Sequence, residues 1–75
     1  MSPLPSVKGS EIVAALERSG FRVARIKGSH WMLQKEGRTV PVPVNQGDDV
    51  PKPTLRAILR LAGLSEDEFL ALLKS

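Results

Sequence analysis

Cysteine and tyrosine are absent from the 75 residues, and the chain has one tryptophan and a single histidine, His30. The absence of cysteine excludes disulfide bonds and thiolate metal sites. One histidine and scattered acidic residues form no convincing ligand set, so we expect no metal and no other cofactor. Apolar runs are only a few residues long, so we expect neither a membrane span nor a signal peptide. A cytoplasmic protein is the resulting expectation.

The short length limits the size of the core and the depth of any active site. A chain of this size buries only a little over ~60% of its extended surface on folding, which leaves one modest core and a shallow active site. We therefore expect a single domain over residues 1–75. Residues 1–6 contain Pro3 and Pro5 and have no periodicity, so they are expected to form a flexible tail.

Positive charge is concentrated in the middle of the chain. The formal net charge is +3, but residues 18–60 carry nine Lys or Arg side chains against three acidic ones, a local balance of +6. Such a surface suits a polyanion, either nucleic acid or an acidic protein partner.

Apolar spacing and turn residues predict six elements. A helix begins at Gly9 or Ser10 and ends near Ser19, where Gly20 follows as a C-terminal glycine. A second helix begins at Pro53 or Thr54, and a third begins with a capping box formed by Ser65 and Glu68. The three predicted strands and the two predicted two-residue turns are residues 21–27, 30–35 and 38–44, joined by Gly28-Ser29 and Glu36-Gly37.

Counting through these turns predicts two sheet faces of different chemistry. The face expected to be covered by helices is apolar: Ala24, Ile26, Trp31, Leu33, Val40, Val42 and Val44. The uncovered face is expected to carry Arg25, Lys27, His30, Gln34 and Thr39, with Phe21, Val23 and Met32 among them. Pro41 and Pro43 cannot donate to a ladder, which indicates that the third strand lies at an edge. His30 is thus expected on the open face beside two cations.

The predicted fold is α+β in two layers: a helix, a three-stranded antiparallel sheet and a second helix, followed by a short C-terminal helix. This arrangement is similar to the double-stranded RNA-binding domain. Architecture alone does not decide function.

Several motifs occur in a characteristic order. They are Val7-Lys8-Gly9, Ser19-Gly20-Phe21, Lys27-Gly28-Ser29-His30, Val40-Pro41-Val42-Pro43, residues 52–59 and residues 62–65. Together they resemble the HicA family of bacterial toxins, over roughly residues 6–70. The resemblance implies an endoribonuclease that halts translation by cutting mRNA and is neutralised by a HicB-type antitoxin.

The same resemblance assigns roles to residues. It implies that His30, after the Gly-Ser pair, is the catalytic histidine and that Gly28 and Ser29 shape the site. Many relatives have a second histidine next, where this chain has Trp31, which argues against a mechanism that needs two. We expect Trp31 to pack in the core rather than to stack on a base.

Residue chemistry is compatible with this reading. Imidazole is the side chain best suited to proton exchange near neutral pH. We expect His30 to remove the proton of a ribose 2′-hydroxyl while Lys27 and Arg25 hold the adjacent phosphate. A second candidate RNA contact is the helical stripe of residues spaced by four, Lys52, Arg56 and Arg60, although such a stripe is more often a solvated helix face.

Three function classes remain open. A ribonuclease toxin requires His30, whereas a noncatalytic RNA-binding module would bind through Arg25, Lys27 and the helix stripe without cutting. A protein-interaction module would use the basic face to dock an acidic partner. We expect the free chain to be a monomer.

Overall fold

A computed structural model describes residues 4–45 and 47–75, and its architecture is the predicted α+β fold. The chain runs through six elements: α1 (Gly9–Arg18), β1 (Arg22–Lys27), β2 (His30–Lys35), β3 (Arg38–Pro43), α2 (Lys52–Ala62) and α3 (Glu66–Lys74). The α2 helix begins slightly earlier than predicted, because Pro51 occupies the N-cap position and Pro53 lies in the first turn. A proline there loses no intrahelical hydrogen bond. No helix among the described residues has the length and apolarity needed to cross a membrane.

Both strand connections are the predicted two-residue turns, and backbone geometry explains their residues. Gly28 has φ of +61°, whereas Glu36 and Gly37 both have positive φ, +50° and +80°. A positive φ at the first turn residue alone is typical of a type II′ turn, and at both residues of a type I′ turn. These turns twist in the same sense as the strands, so they fix an antiparallel sheet in the order β1-β2-β3.

The register around the first turn and throughout β2 and β3 is as predicted. Lys27 lies opposite His30, Ile26 opposite Trp31 and Arg25 opposite Met32. On the other side of β2, residues 30–35 pair in order with residues 43–38. The third strand is at an edge, as its prolines indicated.

A β-bulge in β1 corrects the predicted faces of that strand. The register shifts between Val23 and Arg25, so that Val23 pairs with Leu33. An extra residue in one strand reverses the faces of everything before it. Val23 and Phe21 therefore pack against the core instead of lying on the open face, and Ala24, predicted to face the helices, is exposed.

The core lies between one face of the sheet and the three helices. Leu33, Val40 and Val42 from the sheet are fully buried with Leu55 of α2 and Phe69 of α3. The other buried apolar side chains are Leu4, Val7, Ile12, Val13, Ala15, Leu16, Phe21, Val50, Ile58, Leu59 and Ala62. All of them belong to one contiguous cluster.

Leu4, within the segment expected to form a flexible tail, is buried in the core. Its side chain is only 2% exposed, whereas Pro5 and Ser6 are exposed; residues 1–3 lie outside the described part of the chain. The following residues are also held, because the Val50 amide donates to the Val7 carbonyl at 2.8 Å. Lys8 and Asp49 form an ion pair at 3.4 Å beside this contact.

Three basic side chains cap the C-terminal ends of the three helices. Each of these side chains comes from a different element. Lys35 donates to the Ser19 carbonyl at the end of α1, at 2.6 Å. Arg38 donates to Leu61 of α2 at 3.2 Å, and Arg18 to Leu72 of α3 at 2.9 Å. The last carbonyls of a helix lack intrahelical partners and carry partial negative charge, so cations are favourable there. Part of the central positive charge is therefore structural.

Candidate active site on the open face of the sheet

The sheet face away from the helices consists of three rows of three residues each. Reading from β1 across β2 to β3, the rows are Lys27–His30–Pro43, Arg25–Met32–Pro41 and Arg22–Gln34–Thr39. All nine side chains are exposed or half-buried, and none is acidic. Each row begins with one cation, so positive potential runs along β1.

His30 lies at the start of β2, where the first turn delivers it to this face. It is exposed, with Lys27 directly opposite on β1 and Pro43 directly opposite on β3. Arg25 belongs to the next row and lies diagonally from it. A pair directly opposite has Cβ atoms about 4.5–5.5 Å apart, so a single phosphate can reach both His30 and Lys27.

A glycine conformation and one backbone hydrogen bond fix the turn before His30. Gly28 supplies the positive φ, and a Cβ atom at this position would meet nothing within 4 Å. Glycine is therefore required there by backbone conformation and not by lack of space. The Ser29 carbonyl accepts a 2.6 Å hydrogen bond from the Val44 amide, which ties the turn to the end of β3.

Gly9, at the start of α1, supports the same end of β3. A methyl group at Gly9 would overlap the Pro43 carbonyl oxygen and lie 2.8 Å from the Val44 Cα atom. The helix can therefore approach this backbone only because residue 9 has no side chain. Through Val44 and Ser29, the contact reaches the turn that positions His30.

The second predicted basic cluster lies elsewhere. Lys52, Arg56 and Arg60 belong to α2, which packs against the covered face of the sheet through Leu55 and Ile58. Arg56 Nε is 3.5 Å from Glu66 Oε2 of α3. The structure thus brings together His30, Lys27 and Arg25, and it places the α2 stripe in the helical layer.

Trp31 faces away from His30. It is half-buried, packs against the core, and lies between Ile26 and Val42 in the register. Its neighbour Ile26, on the face predicted to be covered by helices, is nevertheless 56% exposed. Among residues 4–45 and 47–75, no three His, Cys, Asp or Glu side chains are grouped so that they could hold a metal ion.

A comparison with protein families identifies the family of this chain. The family model described as the HicA toxin of bacterial toxin–antitoxin systems matches residues 9–64. The chain belongs to the HicA toxin family. It is therefore the toxin of a toxin–antitoxin system, and an antitoxin is its partner. The comparison with curated proteins finds no match.

The HicA match includes every residue of the open face and the whole of α2, and it ends before α3. The α3 helix nevertheless supplies the fully buried Phe69 and receives the Arg18 cap. The helix outside the family match is therefore integral to the core of this toxin.

Arg22 is the open-face residue that sequence reasoning missed. Without a bulge, Arg22 would point toward the helices, whereas Phe21 and Val23 would point to solvent. The apolar character of Phe21 and Val23 was the signal that could have located the bulge, because two large apolar residues at one end of a polar face conflict with its alternation.

Proposed function

We propose that this HicA toxin is an endoribonuclease that cleaves mRNA with His30 as its catalytic residue. The observation that supports this most strongly is the first row of the open face, where the exposed His30 lies opposite Lys27 and next to Arg25 on a face without acidic side chains. Such a face attracts a phosphodiester and offers it one proton acceptor.

In the proposed reaction, His30 removes the proton of a ribose 2′-hydroxyl. The 2′ oxygen then bonds to the adjacent phosphorus, and the bond from phosphorus to the 5′ oxygen of the next nucleotide breaks. The products are a 2′,3′-cyclic phosphate and a 5′-hydroxyl; the leaving oxygen takes up a proton from solvent, and His30 releases the proton that it accepted back to solvent. Lys27 and Arg25 stabilise the additional negative charge on the phosphate oxygens in the transition state. The nucleophile comes from the substrate, so the reaction assigns no role to a metal.

The substrate is mRNA, and the antitoxin is of the HicB type. Because mRNA is translated in the bacterial cytoplasm, the toxin acts there. The free toxin is a monomer. Gly28 and Ser29 act by shaping the turn that presents His30.

A paired cleavage assay tests the chemistry. The native chain and His30→Ala are incubated with the same single-stranded RNA, after circular dichroism shows that both are folded alike. A positioned general base contributes about 10²–10⁴-fold to the rate, so His30→Ala should lose that much activity. Two substrate controls accompany it: RNA with chelator, which should still be cut, and RNA with 2′-deoxyribose at the scissile position, which should not.

Other results of this assay would contradict the proposed ribonuclease. Equal cutting by both proteins would place the activity outside His30. Loss of cleavage in chelator with recovery on adding a divalent ion, or cleavage at the 2′-deoxy position, would exclude the proposed mechanism. Binding without cleavage by both proteins would favour the noncatalytic RNA-binding module.

A further inference from the structure

The open face extends beyond the proposed catalytic row to a pocket at the other end of the sheet. Its volume is about 180 Å³, and it is lined by Arg22, Gln34, Lys35, Glu36, Gly37 and Thr39. Ligand pockets for drug-sized molecules have volumes of about 300–1,000 Å³, so this one suits only a single small ring.

The polar groups of this pocket suit a nucleotide better than a simple anion. Lys35 already donates to the Ser19 carbonyl, which leaves Arg22 as the cation available for a phosphate. The amide of Gln34 lies 3.5 Å from the hydroxyl of Thr39, and together they offer both donors and acceptors. The carboxylate of Glu36 would repel a phosphate but can accept from the amino group of a base. Neutral and acidic groups of this kind are used to read the edges of unstacked bases.

The spacing of the three rows connects this pocket to the catalytic row. Successive rows follow every second residue of β2, His30, Met32 and Gln34, and so lie about 6–7 Å apart. This is close to the separation of successive phosphates in an extended single strand. Because the bulge brings Arg22 onto the open face, each row has one cation at its β1 end: Lys27, Arg25 and Arg22.

We propose that the pocket formed by Arg22, Gln34 and Thr39 is a nucleotide-binding subsite for single-stranded RNA. Arg22 holds a phosphate two positions along the strand from the one at His30 and Lys27, and Gln34 and Thr39 contact the adjoining base. The strand then lies along β1 with Arg25 on the intervening phosphate. The location of the scissile phosphate rests on the proposed function, but the binding of RNA by Arg22 does not depend on catalysis.

Binding is measured first, by fluorescence anisotropy with a labelled single-stranded RNA at several salt concentrations. Arg22→Gln is introduced into the full-length His30→Ala chain, so that cleavage cannot consume the probe. Loss of one exposed contact should weaken binding about three- to fivefold. Loss of one phosphate contact should also reduce the slope of log K against log salt by about 0.7. Lys74→Gln, which removes one charge from the last turn of α3, is the matched control and should leave the slope unchanged. Equal slopes for the two variants would overturn the subsite.

Cleavage of an RNA length series by the otherwise native chain separates the subsite from the proposed function. Arg22→Gln should raise KM for RNAs long enough to reach the third row and leave kcat and KM unchanged for a dinucleotide. An equal effect at every length, or no effect at any length, would overturn the subsite while leaving the ribonuclease intact. Altered binding by Arg22→Gln without cleavage by the native chain would instead reject the ribonuclease and retain the subsite.

Discussion

At the scale of single residues, two glycines near the site are required for different physical reasons. Gly28 has open space around its Cα atom but a φ of +61°, so it is required by backbone conformation. Gly9 begins α1 and is required by lack of space, because its neighbours are backbone atoms of Pro43 and Val44. Flexible side chains can move aside, whereas paired backbone cannot.

Gly9→Ala should therefore both destabilise the toxin and disturb the site. Overpacking of this kind costs about 1–3 kcal/mol, which urea unfolding can measure. Ser10→Ala, one position later on an exposed part of the helix, is the control and should change stability little. If Gly9→Ala unfolds at the same urea concentration as the native chain, the close approach of α1 to β3 is not as described.

The position of His30 should also respond to Gly9→Ala. Displacement of Val44 would weaken its hydrogen bond to Ser29, so the amide signals of residues 28–30 in an NMR spectrum should shift more than those of the second turn at residues 36–37. Shifts confined to α1 would show that the contact has only a structural role there.

At the scale of elements, each helix combines a local signal with a distant contact. The α3 helix begins with a reciprocal capping box in which the Glu68 amide donates to Ser65 Oγ at 3.1 Å and the Ser65 amide donates to Glu68 Oε1 at 2.9 Å. Hydrogen bonds from the Ser65 amide, and secondarily from its side chain, hold the pKa of Glu68 below its ordinary value of 4.5. Its other end depends on Arg18 of α1.

The lowered pKa of Glu68 predicts a pH dependence of stability. A carboxylate whose pKa is lower in the folded state stabilises the fold above its unfolded pKa, and this contribution is lost as pH falls below about 4.5 through the folded value. Glu68→Gln can still accept the Ser65 amide, but it does not titrate. The native chain should therefore lose more unfolding free energy than Glu68→Gln between pH 7 and pH 3.

Asp67→Asn is the control for this pH comparison, since Asp67 is an exposed carboxylate in the same turn. It removes the same charge from the first turn of α3 and so shows what the loss of one carboxylate does by itself. Parallel curves for Glu68→Gln and the native chain would show that the capping box does not lower the pKa of Glu68.

At the scale of the whole molecule, the nine Lys and Arg side chains between residues 18 and 60 fall into three groups. Lys35, Arg38 and Arg18 bind helix ends. The sheet-face cations are Arg22, Arg25 and Lys27, and the α2 stripe of Lys52, Arg56 and Arg60 lies in the helical layer. Of these three groups, only the sheet-face cations share a surface with His30.

This division predicts different effects on RNAs of different length. Arg25→Gln combined with Lys27→Gln should lower the rate of cleavage of a short RNA by at least about tenfold, because in the proposed mechanism these cations hold the reacting phosphate. Arg56→Gln combined with Arg60→Gln removes the same charge and should leave that rate unchanged. If the α2 stripe contacts RNA, its loss should weaken binding only of RNAs long enough to extend past the sheet.

Equal losses for the two double variants on the short RNA would contradict this prediction, because they would reflect net charge and not position. Circular dichroism is the required control, since Arg56→Gln also removes the ion pair with Glu66. An exposed pair of this kind contributes about 0–1 kcal/mol, so the fold should survive.

Local signals in the sequence determined the elements, the two turns, the register around His30 and the family. Gly28, the Glu36-Gly37 pair and the Ser65–Glu68 box act on residues within one or two turns of themselves, so their effects can be read along the chain. The family motifs likewise identify His30 as the candidate catalytic residue from the sequence alone.

Only the tertiary structure decided which face Arg22 occupies, why residue 9 has no side chain, and which cations remain for a ligand. The bulge in β1 turns the apolar side chains of Phe21 and Val23 toward the core, where their burial is favourable, and leaves Arg22 on the open face. The contact of Gly9 with Pro43 and the three helix caps join residues far apart in sequence, and such contacts exist only once the layers have packed. Periodicity reports which residues share an element, whereas packing between elements decides what each side chain meets.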